Sequence, residues 1–455
     1  MNNKKRAKFS GKIGYVLTTA GASVGLGNIW RFPYLTAERG GGIFILVYIL
    51  LALTFGYTMI ISETALGRIA RKSPIGVFKH FSNSKFSAFG GFLNAVIPMI
   101  IVSYYCVIGG WVIRYLVEMI RGRQEVLTDT GNFGAFIANP VESEVYFLIF
   151  AGMTAIVILL GVNAGVERIS KIMMPALLIL AVIISVFAVT RPGAVEGVKY
   201  ILVPDFTKFS IMTLVSAAEQ MFYSLSIAMG ILYTFGSYMK RDTDIEKSTY
   251  QVAAVDSIVA ILAAMMIIPT VFAYSNGEPT ELLNAGPSLL FKTLPLVFAN
   301  MAAGRIIGVL FFILVTFAAL TSSIALMETV VSSVEDEFHL SRRGAGLLTA
   351  VVIAGVGSLS SFGYNILGGV TILRMQFLDF FDFISNSVMM PIAALATCVL
   401  IMKVAGIKAV EEEVEKSSRF VGKKIYHLTL KYLAPILLVV IFVSSVLNAL
   451  GIISV

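Results

Sequence analysis

The 455-residue chain is 57% apolar and only 14% charged, which excludes an ordinary soluble domain. No polar stretch is long enough for a separate soluble unit, so one membrane-embedded domain spanning 1–455 is expected. A net charge of +8 comes from 35 lysines and arginines against 27 acids, but the cations gather at the ends of apolar runs, and a nucleic-acid partner is not implied.

Apolar runs of about 18 residues or more are long enough to cross a bilayer as helices. The sequence predicts eleven, over roughly 11–37, 41–69, 88–121, 145–163, 169–190, 211–239, 247–275, 304–335, 345–363, 370–403 and 430–453. Lys4, Lys5, Arg6 and Lys8 precede the first run, and Arg68, Arg71, Lys72, Lys79 and Lys85 follow the second. Later basic clusters are Arg168 with Lys171, Lys240 with Arg241, Arg342 with Arg343, and the stretch from Lys403 to Lys424. The alternate loops hold Glu125, Asp129, Glu142, Glu144, Glu278 and Glu281. This asymmetry predicts a cytoplasmic N-terminus, and an odd number of crossings puts the C-terminus outside. Cys106 and Cys398 fall in apolar runs, which argues against a disulfide framework. No small-residue cleavage site follows the first run, so it is read as a span rather than a signal peptide.

The first run contains Ser23-Val24-Gly25-Leu26-Gly27-Asn28-Ile29-Trp30-Arg31-Phe32-Pro33. Glycines, an asparagine, an arginine and a proline at bilayer depth predict a broken helix, because freed backbone groups are tolerated there only where they line a cavity. The sixth run reads Glu219-Gln220-Met221-Phe222-Tyr223-Ser224-Leu225-Ser226-Ile227-Ala228-Met229-Gly230 and predicts a second break. Corresponding interruptions five spans apart point to an all-α transporter built as a five-plus-five inverted repeat, with its site near the midplane. Repeat one is expected over about 11–190 and repeat two over about 211–403, with an extra helix at about 430–453. No metal-ligand cluster, nucleophile triad or phosphate-binding loop is found, so the chain is not read as an enzyme.

Gly21 to Pro33, Gln220 to Ser226 and Leu320-Thr321-Ser322-Ser323 together resemble the neurotransmitter:sodium symporter family, in its bacterial amino acid transporter branch with eleven spans. The resemblance covers about 1–453. It implies a symporter in the bacterial plasma membrane, carrying two sodium ions with a small amino acid. By resemblance, the first sodium takes the Ser23 carbonyl, the Asn28 side chain, Ser224 oxygens and the substrate's own carboxylate. The second takes the carbonyls of Gly21, Val24 and Ala318 with the hydroxyls of Thr321 and Ser322. Sharing a ligand makes each partner raise the other's affinity by the same factor.

The same resemblance sets the substrate class. The family's monoamine carriers have an aspartate where this chain has Gly25, so a substrate with its own carboxylate is implied, held near Ser23, Gly25, Leu26 and Gly27 and by Tyr105. The amino group meets the sixth span around Tyr223 and Ser226, and the side chain faces Ile101, Tyr223, Met229, Ser322 and Leu326. That wall is mainly apolar and separates sizes weakly, by about 1–3 kcal/mol per methylene, which implies neutral hydrophobic or aromatic amino acids. Tyr223, Ala228 and Met229 differ from the family's leucine transporter and leave the preferred amino acid open.

Gates follow by the same carry-over. Arg31 is expected to face Asp382 through water above Tyr223, and Arg6 to pair with Asp336 near Tyr238; Arg6 is also natural as part of a basic N-terminal cluster. The family's animal members bind chloride through groups matching Tyr48, Gln220 and Ser224 plus an asparagine and a second serine, and those last two positions are Asp256 and Ala260 here. A fixed carboxylate supplies the charge chloride would bring, so chloride-independent transport is implied. Glu63 is expected to brace the sixth span, and Glu328 has no assigned role. Other readings that remain open are an amine or osmolyte carrier, an amino acid receptor without transport, or a sodium channel of the same fold. The sequence is silent on oligomeric state.

Overall fold

The computed structural model describes residues 6–129, 131–275, 289–301 and 303–449. Of the charges used above to orient the chain, Lys4, Lys5, Glu278 and Glu281 lie outside the described residues. Among the described residues the chain is helical, with two isolated β-bridges and no strand. Nine helices there are long and apolar enough to cross a membrane: Gly42–Ala70, Lys85–Arg121, Pro140–Leu159, Val162–Val189, Ile245–Tyr274, Gly304–Phe338, Arg342–Phe362, Phe377–Ala405 and Lys423–Asn448.

The first and sixth apolar runs are broken, as their sequences predict. In the first, Lys12–Ser23 ends where Val24 turns extended, a π-helical turn covers Gly27–Arg31, and Phe32–Glu38 resumes with a proline in its first turn. In the sixth, Ile211–Ser224 and Ile231–Tyr238 flank a connection in which Ser226 (φ 54), Ala228 (φ 59) and Gly230 (φ 72) adopt left-handed backbone. Such conformations cost a non-glycine residue roughly 1–3 kcal/mol each. The surroundings hold them: the Ala228 N–H donates to the fully buried Glu63 carboxylate at 2.9 Å.

Small residues let the broken sixth run sit deep in the bundle. A Cβ on Gly67 would stand 2.1 Å from the Tyr233 carbonyl oxygen, and one on Gly236 would stand 2.4 Å from that of Thr64. The second run and the second half of the sixth therefore touch backbone to backbone, the small-residue packing that helices use where lipid removes the hydrophobic drive. The long Gly304–Phe338 and Lys85–Arg121 helices pack along each other, and the last helix leans on Met390–Val399 and Ile211–Ser224.

The tenth run departs from expectation at its start. Residues 370–376 are a turn rather than helix, since Ile372 and Met375 bond each other's backbone and Leu373 and Arg374 are left-handed. The helix begins at Phe377. At the end of the bundle where the Tyr57–Ala70 helix finishes, a buried Arg68 meets Glu413 at 2.6 Å and the Thr243 carbonyl. Glu246 there takes the Tyr57 hydroxyl and the N–H groups of Val421 and Gly422, and together these bonds fix the segment 407–422 beneath the helices.

Candidate functional site

Both breaks open onto one small central cavity. Its wall includes ten of the eleven expected substrate residues: Ser23, Gly25, Gly27, Ile101, Tyr105, Tyr223, Ser226, Met229, Ser322 and Leu326. The eleventh, Leu26, lines the cavity above and gives its N–H to the Tyr105 hydroxyl at 3.0 Å. Ala22 and Ile231 also line the central wall; neither carries a polar side chain, so nothing in the sequence singled them out. The walls close to about 20 Å³ of free space, so an amino acid enters only as the walls move apart.

The break is stabilised by side chains acting as backbone substitutes. Asn28 Oδ1 accepts from the Gly25 N–H at 3.0 Å, and Tyr105 satisfies Leu26 as above. Gly25 is required by space: a Cβ there would stand 2.7 Å from Ser322 Oγ and 2.8 Å from Tyr105 Oη.

One face of this cavity gathers oxygens. Ser322 Oγ lies 3.3, 3.0 and 3.2 Å from the carbonyl oxygens of Gly21, Ala22 and Val24. A hydroxyl has one proton, so it serves one of the three at a time and lone pairs are left facing one another. Next to it, Thr321 Oγ1 bonds the Phe317 carbonyl at 2.9 Å and lies 3.2 Å from that of Ala318. An uncharged set of carbonyls and hydroxyls is the donor chemistry of a hard cation, and the expected second-ion residues stand in it together. Ser226 Oγ donates to the Ala22 carbonyl at 3.2 Å from the other side.

Two of the three expected first-ion residues, Asn28 and Ser224, converge on a buried carboxylate, while the Ser23 hydroxyl donates to the Thr19 carbonyl at 3.2 Å. Asn28 Nδ2 donates to Ser224 Oγ at 2.9 Å and to Asp256 Oδ1 at 2.8 Å. Ser224 Oγ donates to the same Oδ1 at 2.8 Å, and the Tyr48 hydroxyl to Oδ2 at 2.6 Å. An acid at this depth needs such partners, and intramembrane acids are functional suspects. Gln220 is placed differently from its expected companions. Its Nε2 donates to the Gly27 carbonyl at 3.1 Å, away from Asp256, and its Oε1 is buried without a partner among the described residues.

Above this cavity lies a larger one of about 250 Å³, and the Tyr223 ring lines both. Arg31 and Asp382 both line the upper cavity, on either side of the space that separates them. Arg31 stands 3.6 Å from Glu219 and 5.8 Å above the Tyr223 ring, while Asp382 takes the Tyr104 hydroxyl at 2.9 Å and the Asn386 amide at 2.6 Å. At the opposite end, Arg6 forks onto Asp336 at 2.8 and 2.9 Å, donates to Ser332 and Ser237, and lies 5.1 Å over the Tyr238 ring. Glu328, which the sequence left without a role, takes the Tyr238 hydroxyl at 2.7 Å and Arg342 Nη1 at 2.9 Å.

The chain matches the sodium:neurotransmitter symporter family over residues 6–125 and 137–452. It is similar to a sodium-dependent transporter of Haemophilus influenzae, 33% identical over 98% of this chain and 99% of the relative. The sodium-dependent transporter YhdH of Bacillus subtilis is 30% identical over 100% of both chains. Among solved structures, the crystal structure of MhsT in complex with L-phenylalanine matches with a TM-score of 0.86 and 32% identity, covering 97% of this chain and 100% of that one.

Proposed function

The chain belongs to the sodium:neurotransmitter symporter family, a multi-pass membrane transporter that uses sodium and not an enzyme, and on that premise we propose that it imports neutral hydrophobic or aromatic amino acids with sodium, by alternating access and without chloride. One observation carries the reading. The candidate ion ligands and the candidate substrate wall are a single surface, since Ser23, Asn28, Ser224 and Ser322 line the cavity that Tyr105, Tyr223 and Met229 close. The solved relative MhsT was crystallised with L-phenylalanine, which supports the same substrate class here.

The residues divide the work as follows. Ser23, Asn28 and Ser224 hold one sodium together with the substrate's carboxylate, and Gly21, Val24, Ala318, Thr321 and Ser322 hold a second. Tyr105 and the unwound backbone at Gly25 to Gly27 orient the carboxylate; Ile101, Tyr223, Met229 and Leu326 accept the apolar side chain. Asp256, with Tyr48 and Ser224, supplies the fixed negative charge behind the first ion, which removes the need for chloride. Arg31 and Asp382 close the upper path over Tyr223, and Arg6 with Asp336 and Tyr238 closes the lower one. The two broken runs belong to inverted repeats over about 11–190 and 211–403. The protein sits in a bacterial plasma membrane with its N-terminus cytoplasmic and its C-terminus outside. Each sodium charge moved inward across 100 mV contributes about 2.3 kcal/mol.

The test is uptake of labelled phenylalanine into proteoliposomes with an inward sodium gradient, against the same gradient of potassium. Accumulation above the outside concentration only in sodium is expected. Equal uptake in potassium, or binding without accumulation, overturns the symport reading.

A further inference from the structure

Three separated segments converge on an open cavity of about 670 Å³ at the end of the bundle that carries residues 6–8. Arg6 and Lys8 come from ahead of the first helix, Arg71 from just after the Gly42–Ala70 helix, and Lys240, Arg241 and Asp242 from just after the Ile231–Tyr238 helix. Five cations therefore face one carboxylate. A preference for basic residues on one side of a membrane accounts for their presence on this end, but not for their meeting in one concavity, where like charges repel.

The partners of these cations leave most of the charge unmatched. Lys240 Nζ donates to the Ser10 carbonyl at 2.5 Å and Arg71 Nη1 to the Ser237 carbonyl at 3.1 Å, and a carbonyl satisfies a donor without cancelling its charge. Only Arg6 meets a full negative charge, on Asp336. Lys8, Arg71, Lys240 and Arg241 form no ion pair among the described residues. Burial, and then the neighbouring charges of Arg241 and Arg68, push the Arg71 guanidinium below its ordinary value, with Glu413 acting against them. Arg71 is also left-handed (φ 55) at the end of its helix, a backbone state uncommon outside glycine.

We propose that this cavity is a binding site for a phosphate-bearing anion, drawn either from a lipid headgroup or from solution. Guanidinium forks match phosphate oxygens in pairs, lysines add point charge, and the volume lies in the range of small-molecule sites, about 300–1,000 Å³. Arg6 lines the cavity while holding Asp336, so a bound anion competes for that guanidinium and favours release of the pair. This second step rests on the gate role proposed above; the binding step does not.

The test compares the wild type with Lys8→Gln/Arg241→Gln, both exposed side chains. The soluble arm is full-length protein in neutral detergent with pyrophosphate, against sodium chloride at matched ionic strength. The lipid arm is nanodiscs of phosphatidylcholine with and without phosphatidylglycerol. Thermal unfolding is read in both, and stabilisation by phenylalanine in sodium reports that the variant is folded, whatever becomes of the anion. The wild-type midpoint should rise in at least one arm, with about tenfold more probe needed in the variant, which is about 1.4 kcal/mol. A response to pyrophosphate assigns the anion to solution; one confined to phosphatidylglycerol assigns it to the headgroup. No rise in either arm, or equal rises in wild type and variant, overturns the site.

Discussion

Asn28 and Asp256 are joined 2.8 Å apart, amide nitrogen to carboxylate oxygen, so the broken first run is tied directly to a buried charge on the Ile245–Tyr274 helix. The second carboxylate oxygen is taken by Tyr48. Asp256→Asn keeps the size and removes the charge. Hydrogen bonds to charged groups contribute about 1.5–3 kcal/mol, so sodium-driven uptake in gluconate should fall at least tenfold and recover when chloride is supplied. Uptake at the wild-type rate in gluconate would remove Asp256 from the place of chloride.

Gly25→Ala should weaken amino acid binding more than it weakens the fold. The added methyl carbon meets Ser322 Oγ and Tyr105 Oη, both under 3 Å away, and overpacking costs typically about 1–3 kcal/mol. The displaced groups are those that hold the Leu26 N–H and the Gly21 to Val24 carbonyls. Phenylalanine should therefore require roughly tenfold or higher concentration to stabilise the variant in sodium, with its unliganded midpoint only slightly lowered. An unchanged phenylalanine response would place the substrate elsewhere.

The two breaks were legible because their residues have few other uses in an apolar run. Gly25 and Gly27 weaken a helix by their backbone freedom, the Asn28 side chain competes for backbone groups, Pro33 has no N–H to give, and Ser224 and Ser226 bring hydroxyls to mid-depth. The turn at 370–376 was not legible, since Val370, Ile372 and Leu373 are as apolar as a helix requires and only the left-handed Leu373 and Arg374 mark the turn. Charge partners were legible unevenly. Arg6 with Asp336 came from resemblance, whereas the approach of Arg31 to Glu219 depends on how the first and sixth runs pack, which spacing does not encode. Glu328 and Arg342 are only 14 residues apart, yet they meet because His339, left-handed at the end of its helix, lets the chain fold back.

Ser322→Ala tests the oxygen cluster. Ser322 Oγ reaches three carbonyls of the first run, and its loss removes one uncharged oxygen from the proposed ion site. Half-saturating sodium for phenylalanine uptake should rise about tenfold, equivalent to about 1.4 kcal/mol, and Thr321→Ala should act in the same direction. A variant with unchanged sodium dependence but weaker phenylalanine binding would assign Ser322 to the substrate wall alone.

Glu328→Gln should reduce stability through the charge it leaves behind. The Glu328 side chain is fully buried and Arg342 is 24% exposed, and breaking a buried pair from one side costs about 3–5 kcal/mol. Two features bring the effect toward the lower end. Arg342 also lies 3.6 Å from Glu335, and the glutamine can still accept from the Tyr238 hydroxyl. The thermal midpoint in detergent should fall clearly for Glu328→Gln and be partly restored by adding Arg342→Gln, because the second change removes the uncompensated cation. A double variant less stable than either single one would show that the two residues act through separate contacts, Glu328 on Tyr238 and Arg342 on the Ile158 carbonyl.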